Sequence, residues 1–334
     1  MPLDLESLLV DKTLLLTGST GFIGRNFASY LANTKTFQRG QLQVLCAGRN
    51  KHSLAEIYPL RSGFQHFVWD IEMPYLADLN QVDYIVHLAG ADRFLDSKNK
   101  TAEILSTTST GTFNLLNLAR RAGTSRVLLA SSGAVYPKCN DSSIALSESE
   151  YSSSLNLDSN DPYVAGKRNA EYLCNSFAEE TGISVAIARI FTLIGLHFPI
   201  NRHFAIGEFI KMCVAESAIT VRSNSNIVRS YQHASDTSNW LARILLSGGS
   251  TSVYNVGHDR QIRIPYLAEL VKELCGNRKP IRYLAETVFE GQQDFYVPDI
   301  TRATNNLGLE NTISLESSII EVYEYYKRNP QLIN

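Results

Sequence analysis

Apolar residues gather in short continuous runs along the first half of the chain. "KTLLLTG" (12–18), "LQVLCAG" (42–48), "FQHFVWD" (64–70), "VDYIVHLAG" (82–90) and "SRVLLASS" (125–132) each read as a buried strand, and "GISVAIARIF" (182–191) repeats the pattern. The segments between them carry helical spacing instead. One helical pattern runs from Phe22 to about Asn33. In a second, over about 101–122, Ile104, Thr108, Gly111, Leu115 and Leu118 recur three and four residues apart. A third begins at "DPYVAGKRNAEYL", where Asp161 suits the N-cap and Pro162 the first helical position. It runs to about residue 181, with Gly166, Ala170, Leu173, Cys174 and Phe177 along one apolar stripe. Continuous apolar strands separated by helices imply a parallel sheet covered on both faces. Residues 1–190 are therefore expected to build most of an α/β sheet domain. After about residue 192 the alternation weakens, so 191–334 is expected to form mainly a smaller α/β lobe, with later segments free to rejoin the sheet. The Ser-, Asn- and Asp-rich stretch 137–161 reads as a long surface loop.

The first turn adds chemistry. "GSTGFIG" places Gly18, Gly21 and Gly24 directly after the first strand and at the mouth of the first helix. Gly18 allows the tight turn, Gly21 lets the backbone approach a diphosphate, and Gly24 permits close helix–strand packing. With Ser19, Thr20, Phe22 and Ile23 they make a dinucleotide cradle whose helix N-terminus attracts phosphate. The sheet is thus expected to be Rossmann-type and doubly wound. At the end of the second strand an acid holds a ribose 2′-hydroxyl and a base accepts a 2′-phosphate. Here "CAGRN" has no acid, and Arg49 leans the choice from NAD toward NADP; it reads equally as a solvated loop arginine. Asp70, followed by Ile71, is placed to accept from an adenine amino group or to cap the next turn.

Tyr163 and Lys167 stand four apart and so share a helix face. A phenol with a reference pKa near ~10 is a poor base at neutral pH, but an adjacent ammonium favours the phenolate. The pair can then exchange a proton with a substrate hydroxyl or carbonyl, and Ser132 at the end of the fifth strand can bond the same oxygen.

"TGSTGFIG", "HLAGA" (87–91), "STGTFNLLNLA" (109–119), "SSGAVYP" (131–137), "PYVAGKRNAE" (162–171), "ARIFTLIG" (188–195), "RSYQHASD" (229–236), "YNVG" (254–257) and "ATNNLG" (303–308) span most of the chain. In that order and spacing they resemble the extended short-chain dehydrogenase/reductases that act on nucleotide sugars, the NAD-dependent epimerase/dehydratase group. The resemblance implies an acid/base role for Tyr163, a ribose-holding and pKa-lowering role for Lys167, and a sugar-orienting role for Ser132. It implies that Leu88, Ala89 and Gly90 line the cofactor with Thr108. It also implies that Arg229 meets the substrate diphosphate, that Thr192 lies on the substrate side, and that Asp236 belongs to the substrate lobe. A homodimer through the two long helices is implied as well. The chain departs from the family at Thr108 and Thr192, where asparagine is common, and in "GQQDFYVPD", which lacks a common arginine.

"SSGAVYP" narrows the reaction. The resemblance places Asp and Glu after the serine in 4,6-dehydratases, a glutamate at the position of Ala134 in decarboxylases, and a cysteine there in 3,5-epimerases. Gly133 and Ala134 move no protons. The expected activity is therefore NAD(P)-dependent 4-epimerisation of a nucleoside-diphosphate sugar. Its alternatives are NADP-dependent reduction of a 4-keto sugar, a 4,6-dehydratase in which Cys139 or Glu148 replaces the missing acid, and a silent NADP-binding regulatory protein.

Composition changes little. The chain has 334 residues, a net charge of −2, 44% hydrophobic and 19% charged residues. These are ordinary globular values that give no electrostatic reason to expect nucleic acid or an anionic membrane as partner. The longest apolar run, "VAIARIFTLIGLHF", is short for a membrane span and carries Arg189. The acidic "MPLDLESLLVDK" does not read as a secretion signal. Cys46, Cys139, Cys174, Cys213 and Cys275 are scattered without a CxxC pair, which suits free thiols in a reducing cytoplasm. His87, His197, His203 and His233 lack metal-ligand spacing, so no metal is expected.

Overall fold

The structure, a computed structural model, describes residues 4–59, 62–77, 79, 81–90, 100–137, 145–150, 161–202, 204–222, 226–247, 251–284 and 294–333. Seven strands make the main sheet: β1 (Lys12–Thr17), β2 (Leu42–Gly48), β3 (Phe64–Val68), β4 (Tyr84–His87), β5 (Arg126–Ser132), β6 (Ser184–Ile190) and β7 (Thr251–Val256). Their spatial order is β7-β6-β5-β4-β1-β2-β3, and every pairing is parallel. The order reverses at β1, beside β4, and such a switch point leaves a crevice beyond the strands' carboxyl ends.

The two-residue period of the strands sorts their side chains into two cores. Leu14, Leu16, Val44, Cys46, Val86 and Leu128 face one side, against Phe27 and Leu31 of α1 (Phe22–Ala32). Leu15, Ile85, Val127, Leu129 and Ile187 face the other, against Leu115 of α2 (Gly111–Arg121) and Ala170 and Phe177 of α3 (Pro162–Thr181). A third core, with Phe209 and Ile210 of α4 (Ala205–Val214), belongs to the later lobe. α5 (Ala234–Leu246) sends Trp240 and Leu245 into the first core. Leu267 and Val271 of α6 (Ile264–Leu274), with Ile319 and Val322 of α7 (Leu315–Arg328), complete the third.

Of the later segments left free to rejoin the sheet, β7 does so, at its edge. Two features differ from the sequence reading. α5 packs on the sheet too, so Asp236 does not belong to the substrate lobe. Its carboxylate accepts from Thr312 N (2.9 Å), Ile313 N (3.0 Å) and Thr312 Oγ1 (2.6 Å), pinning the chain that leads into α7. The helix expected over 101–122 is interrupted: Thr101–Leu105 is α-helical, Ser106–Thr110 makes a π-helical turn, and α2 follows. Thr108 Oγ1 bonds back to the Ile104 carbonyl and Thr112 Oγ1 to the Thr108 carbonyl (2.6 Å), competition of the kind that distorts a helix.

α3 begins where its caps require. Asp161 accepts from Tyr163 N at 3.0 Å, and Pro162 occupies the first turn. Losing such a cap costs about 1 kcal/mol. Most of the expected loop 137–161, including Cys139, lies outside the described residues, as does His203. Its described part returns to the sheet's edge strand β7, where Asn255 Nδ2 donates to Leu146 O at 2.7 Å. Among the described residues, no helix is long and apolar enough to cross a membrane.

Candidate active site

The turn after β1 is built for close approach. Gly18 has φ +66°, and a Cβ there would lie 2.6 Å from Ala89 N. A Cβ on Gly24 would lie 2.2 Å from the Gly18 carbonyl oxygen. Backbone is thus packed on backbone from Gly18 to the end of β4, and Gly21 caps α1 with exposed extended backbone. This cradle fits a dinucleotide diphosphate at a helix N-terminus. Ser19 itself is buried and committed to the scaffold: its Oγ donates to Ala47 O (2.9 Å), and its carbonyl accepts from Tyr58 Oη (2.6 Å). Thr20 lies beside Gly48 at the end of β2, Phe22 packs edge-on against Phe198 at 5.7 Å, and Ile23 packs against the first core.

Beyond β2 and β3 the structure supplies an acid that the sequence reading missed. Glu72 accepts from Thr107 Oγ1 at 2.6 Å. Hydroxyls of Ser106 and Thr107, and then the nearby Arg49 guanidinium, hold its carboxyl below the usual range. Arg49 is exposed and offers its charge toward this carboxylate. Asp70 is exposed, and its Oδ1 accepts from Glu72 N at 3.2 Å, so it caps its own turn. Ile71 is buried, and its carbonyl accepts from Asn114 Nδ2 at 2.9 Å.

The three proton-handling candidates sit at the carboxyl end of β5 and on α3, which pack together. Ser132 is nearly buried, and its Oγ accepts from Ala134 N at 3.2 Å, which leaves its hydroxyl proton for another acceptor. Tyr163 is half-buried, with the Lys167 ammonium 5.8 Å from its ring centre. Lys167 is buried and donates to Ala130 O at 2.7 Å. Burial pulls its ammonium down to about 8, with Glu171 and Cys174 acting in the opposite direction. A side chain at Gly90 would begin 3.1 Å from Lys167 Nζ and 3.9 Å from Thr108 Cγ2, so the β4 loop, the π-turn and α3 meet here. Leu88 N and Ala89 N both donate to Thr17, to its carbonyl and its hydroxyl respectively, each at 3.3 Å.

Beneath this point lies a buried ion pair. Arg189 grips Glu171 with Nε (3.0 Å) and Nη2 (2.8 Å), both side chains being about 5% exposed or less. Ser131 Oγ donates to the same carboxylate at 2.5 Å, and Arg189 Nη1 donates to Tyr136 Oη at 3.0 Å. Removing one partner of such a pair strands a buried charge, a loss of about 3–5 kcal/mol. Lys167 and Glu171 stand four apart on α3, the one sequence signal that points to Glu171.

The mouth of the site is aromatic. Phe191 lies so close over Gly133 that a Cβ there would sit 2.6 Å from its ring. Tyr136 (6.2 Å) and Tyr296 (4.7 Å) flank Phe191, and the Arg229 guanidinium lies 5.9 Å from the Tyr296 ring centre. Arg229 also pairs with Asp294 at 2.9 Å. Thr192 follows Phe191, is half-buried, and accepts from Gln232 N through its carbonyl at 3.1 Å. Glu148 is not free to replace a catalytic acid: its Oε1 accepts from Asn255 N at 2.8 Å, and Oε2 faces Arg302 at 4.0 Å.

Residues 14–257 match the sequence model described as the NAD dependent epimerase/dehydratase family. The chain is 29% identical over 321 residues to UDP-glucuronic acid decarboxylase 1 of Danio rerio, covering 95% of this chain and 73% of the relative. It is 30% identical over 311 residues to UDP-glucuronic acid decarboxylase 5 of Arabidopsis thaliana, covering 92% and 86%. Its fold matches UDP-glucose 4-epimerase from Thermotoga maritima, solved with UDP-glucose, with a TM-score of 0.78, 21% identity, and coverage of 95% of this chain and 99% of that one.

Proposed function

The chain belongs to the NAD dependent epimerase/dehydratase family, and from that premise we propose that it oxidises and re-reduces one carbinol, C4 of a nucleoside-diphosphate hexose, as a 4-epimerase. One observation carries this reading: Ser132, Tyr163 and Lys167 are all in place at the strand end, while neither Gly133 nor Ala134 beside them can move a proton. Phe191 fills the space over Gly133, so no side chain reaches in from that position either. The named activities of the relatives, on UDP-glucuronic acid, and the UDP-glucose of the similar structure support UDP as the nucleotide. Arg229, at the end of the aromatic wall, is the cation we assign to the diphosphate.

The residues of the first turn would hold the dinucleotide diphosphate, and Lys167 the nicotinamide ribose. When bound, the nicotinamide gives and takes hydride at the sugar carbon. Tyr163 removes the hydroxyl proton as C4 is oxidised and returns it on reduction. Lys167 keeps the phenolate accessible near neutral pH. Ser132, its lone pair already used by Ala134 N, donates to the sugar oxygen and fixes its position. A reaction confined to one carbinol needs no further acid or base.

Incubation with UDP-glucose, UDP-N-acetylglucosamine and UDP-glucuronic acid, followed by proton NMR, tests the reading. The expected result is the C4 epimer of at least one of them with no net change in cofactor. Release of carbon dioxide from UDP-glucuronic acid, or net consumption of reduced cofactor with a 4-keto sugar, would replace it with decarboxylation or reduction.

The cofactor in this reading is NAD. Arg49 leans the sequence toward NADP, but the Glu72 carboxylate lies within electrostatic reach of it and would oppose a 2′-phosphate there. Arg49→Ala should change the NADP/NAD affinity ratio less than about threefold. A guanidinium bonded to the phosphate would contribute about tenfold or more. Calorimetric titration with both dinucleotides decides between the two.

We also read the protein as a homodimer. Phe113 on α2 is 53% exposed and Tyr172 on α3 is 70% exposed, two large rings carried by helices that pack against each other. Sedimentation at micromolar concentration should give the dimer mass, and Phe113→Glu with Tyr172→Glu should give the monomer. A monomeric wild-type protein would refute it.

A further inference from the structure

The buried ion pair under the strand end lies outside the proton-transfer set described above. Four side-chain contacts fix the segment 130–136 around Ser132. Lys167 donates to Ala130 O (2.7 Å), Ser131 Oγ donates to Glu171 (2.5 Å), Arg168 donates twice to Val135 O (3.0 and 2.6 Å), and Arg189 donates to Tyr136 Oη (3.0 Å). Three of the four come from α3, the helix that carries Tyr163. The same carboxylate that receives Ser131 stands one helical turn beyond Lys167.

We propose that Glu171 is a positioning residue for the reaction, the anion that holds the charge of Lys167 in a buried site. The proposal rests on reading Tyr163 and Lys167 as the proton-transfer pair.

Among the described residues, the charged and titratable groups around Lys167 are few. Glu171 and Cys174 lie on its own helix, Tyr163 one turn before it, His87 comes from β4, and Arg189, from β6, is bonded to Glu171. Burial pushes the Cys174 thiol up to about 12, so it stays neutral. Burial, and then the Lys167 charge, push the His87 imidazole down to about 3, so it too stays neutral. His87 is tied at both ring nitrogens, to Thr17 Oγ1 (2.8 Å) and Thr112 Oγ1 (3.2 Å), as a neutral imidazole permits. That leaves the Glu171 carboxylate as the anion that opposes the desolvation of Lys167. Its bidentate bond to Arg189 and its bond from Ser131 hold it in place for that task. Without it, Lys167 would lose its proton at lower pH, and Tyr163 would lose the cation that favours its phenolate.

The test reads Lys167 directly, without a substrate. Protein labelled with carbon-13 at lysine Cε is titrated by NMR, with the Lys167 signal assigned through Lys167→Arg. In the wild type it should titrate near 8. In Glu171→Gln it should titrate about one pH unit lower or more, the size expected for losing a neighbouring opposite charge. Glu171→Asp, which keeps the charge, should recover most of the shift, and Ser131→Ala, which loosens the carboxylate but keeps its charge, should move Lys167 less than Glu171→Gln does. If Glu171→Gln fails to fold because Arg189 is left unpaired, Glu171→Gln with Arg189→Gln is compared with Arg189→Gln alone, so that the two proteins differ only in the anion. An unchanged Lys167 titration in the folded variant overturns the proposal. The alkaline limb of kcat/KM for the UDP-sugar that turns over should move down with Lys167. If Lys167 shifts and that limb stays, the reading of Lys167 in proton transfer fails instead.

Discussion

Tyr163→Phe should lower kcat by about 10²-fold or more and leave NAD affinity within about a factor of two. The substitution removes one oxygen and keeps the ring, so the fold has little to lose. α3 keeps its start, because Asp161 caps it through the backbone N–H of residue 163 and not through the phenol. Lys167 keeps its bond to Ala130 O. What disappears is the hydroxyl that this reading assigns to taking and returning the sugar proton. Ser132 cannot take its place, since a hydroxyl without an adjacent base stays protonated, and its Oγ already accepts from Ala134 N. Steady-state rates with the UDP-sugar that turns over, together with NAD titration by calorimetry, measure both halves. Near-normal turnover would remove Tyr163 from the mechanism. A large loss of NAD affinity would mean the phenol holds the cofactor more than it serves the substrate.

The parts of this site that sequence displayed are the parts made by local pattern. β1, β4, β5 and β6 are buried on both faces, so their apolar runs are continuous and visible. The glycine turn is visible because only glycine tolerates φ +66° with backbone 2.6 Å away at Gly18. What stayed hidden depends on contacts distant along the chain. β7 joins the sheet only through its pairing with β6, some sixty residues earlier, and in isolation reads as one more short strand. Phe191 matters because the fold brings its ring over Gly133, which no periodicity announces. Glu171 and Arg189 are charged residues that pattern alone assigns to solvent, yet each buries its charge against the other. The π-turn at Ser106–Thr110 arises from threonine hydroxyls competing for helix carbonyls, an effect too small to interrupt a helical stripe on paper. Asp236 was placed by family likeness in the substrate lobe, whereas its bonds to Thr312 and Ile313 make it a scaffold residue.

Turnover in deuterium oxide should leave C5 and C6 of the sugar unlabelled, although the two relatives described above are decarboxylases. Elimination of water starts with loss of the C5 proton and the C6 hydroxyl and, once hydride has been returned to C6, ends on an enolate; loss of a carboxyl group also leaves an enolate, and each must be protonated at C5. That step needs an acid or base beside the sugar in addition to the tyrosine. General acid–base help of this kind is worth about 10²–10⁴ in rate, so its absence makes these outcomes negligible beside hydride exchange at C4. The positions that would supply it are Gly133 and Ala134. Gly133 has no side chain and no room for one under Phe191, and the methyl of Ala134 carries no titratable group. Glu148, the described carboxylate on the nearby loop, is bonded to Asn255 N at 2.8 Å and faces Arg302. Its bonds hold it at the sheet edge. The expected NMR spectrum therefore contains the two C4 epimers, with protium retained at C4, C5 and C6, because the hydride leaves and returns without meeting solvent. Deuterium at C5 or C6 with loss of water, or a pentose product from UDP-glucuronic acid, would require an acid outside the strand end. Ala134→Glu separates the possibilities. If the position alone limits the chemistry, the variant should gain deuterium at C5, while Tyr163 remains essential for both the old reaction and the new one.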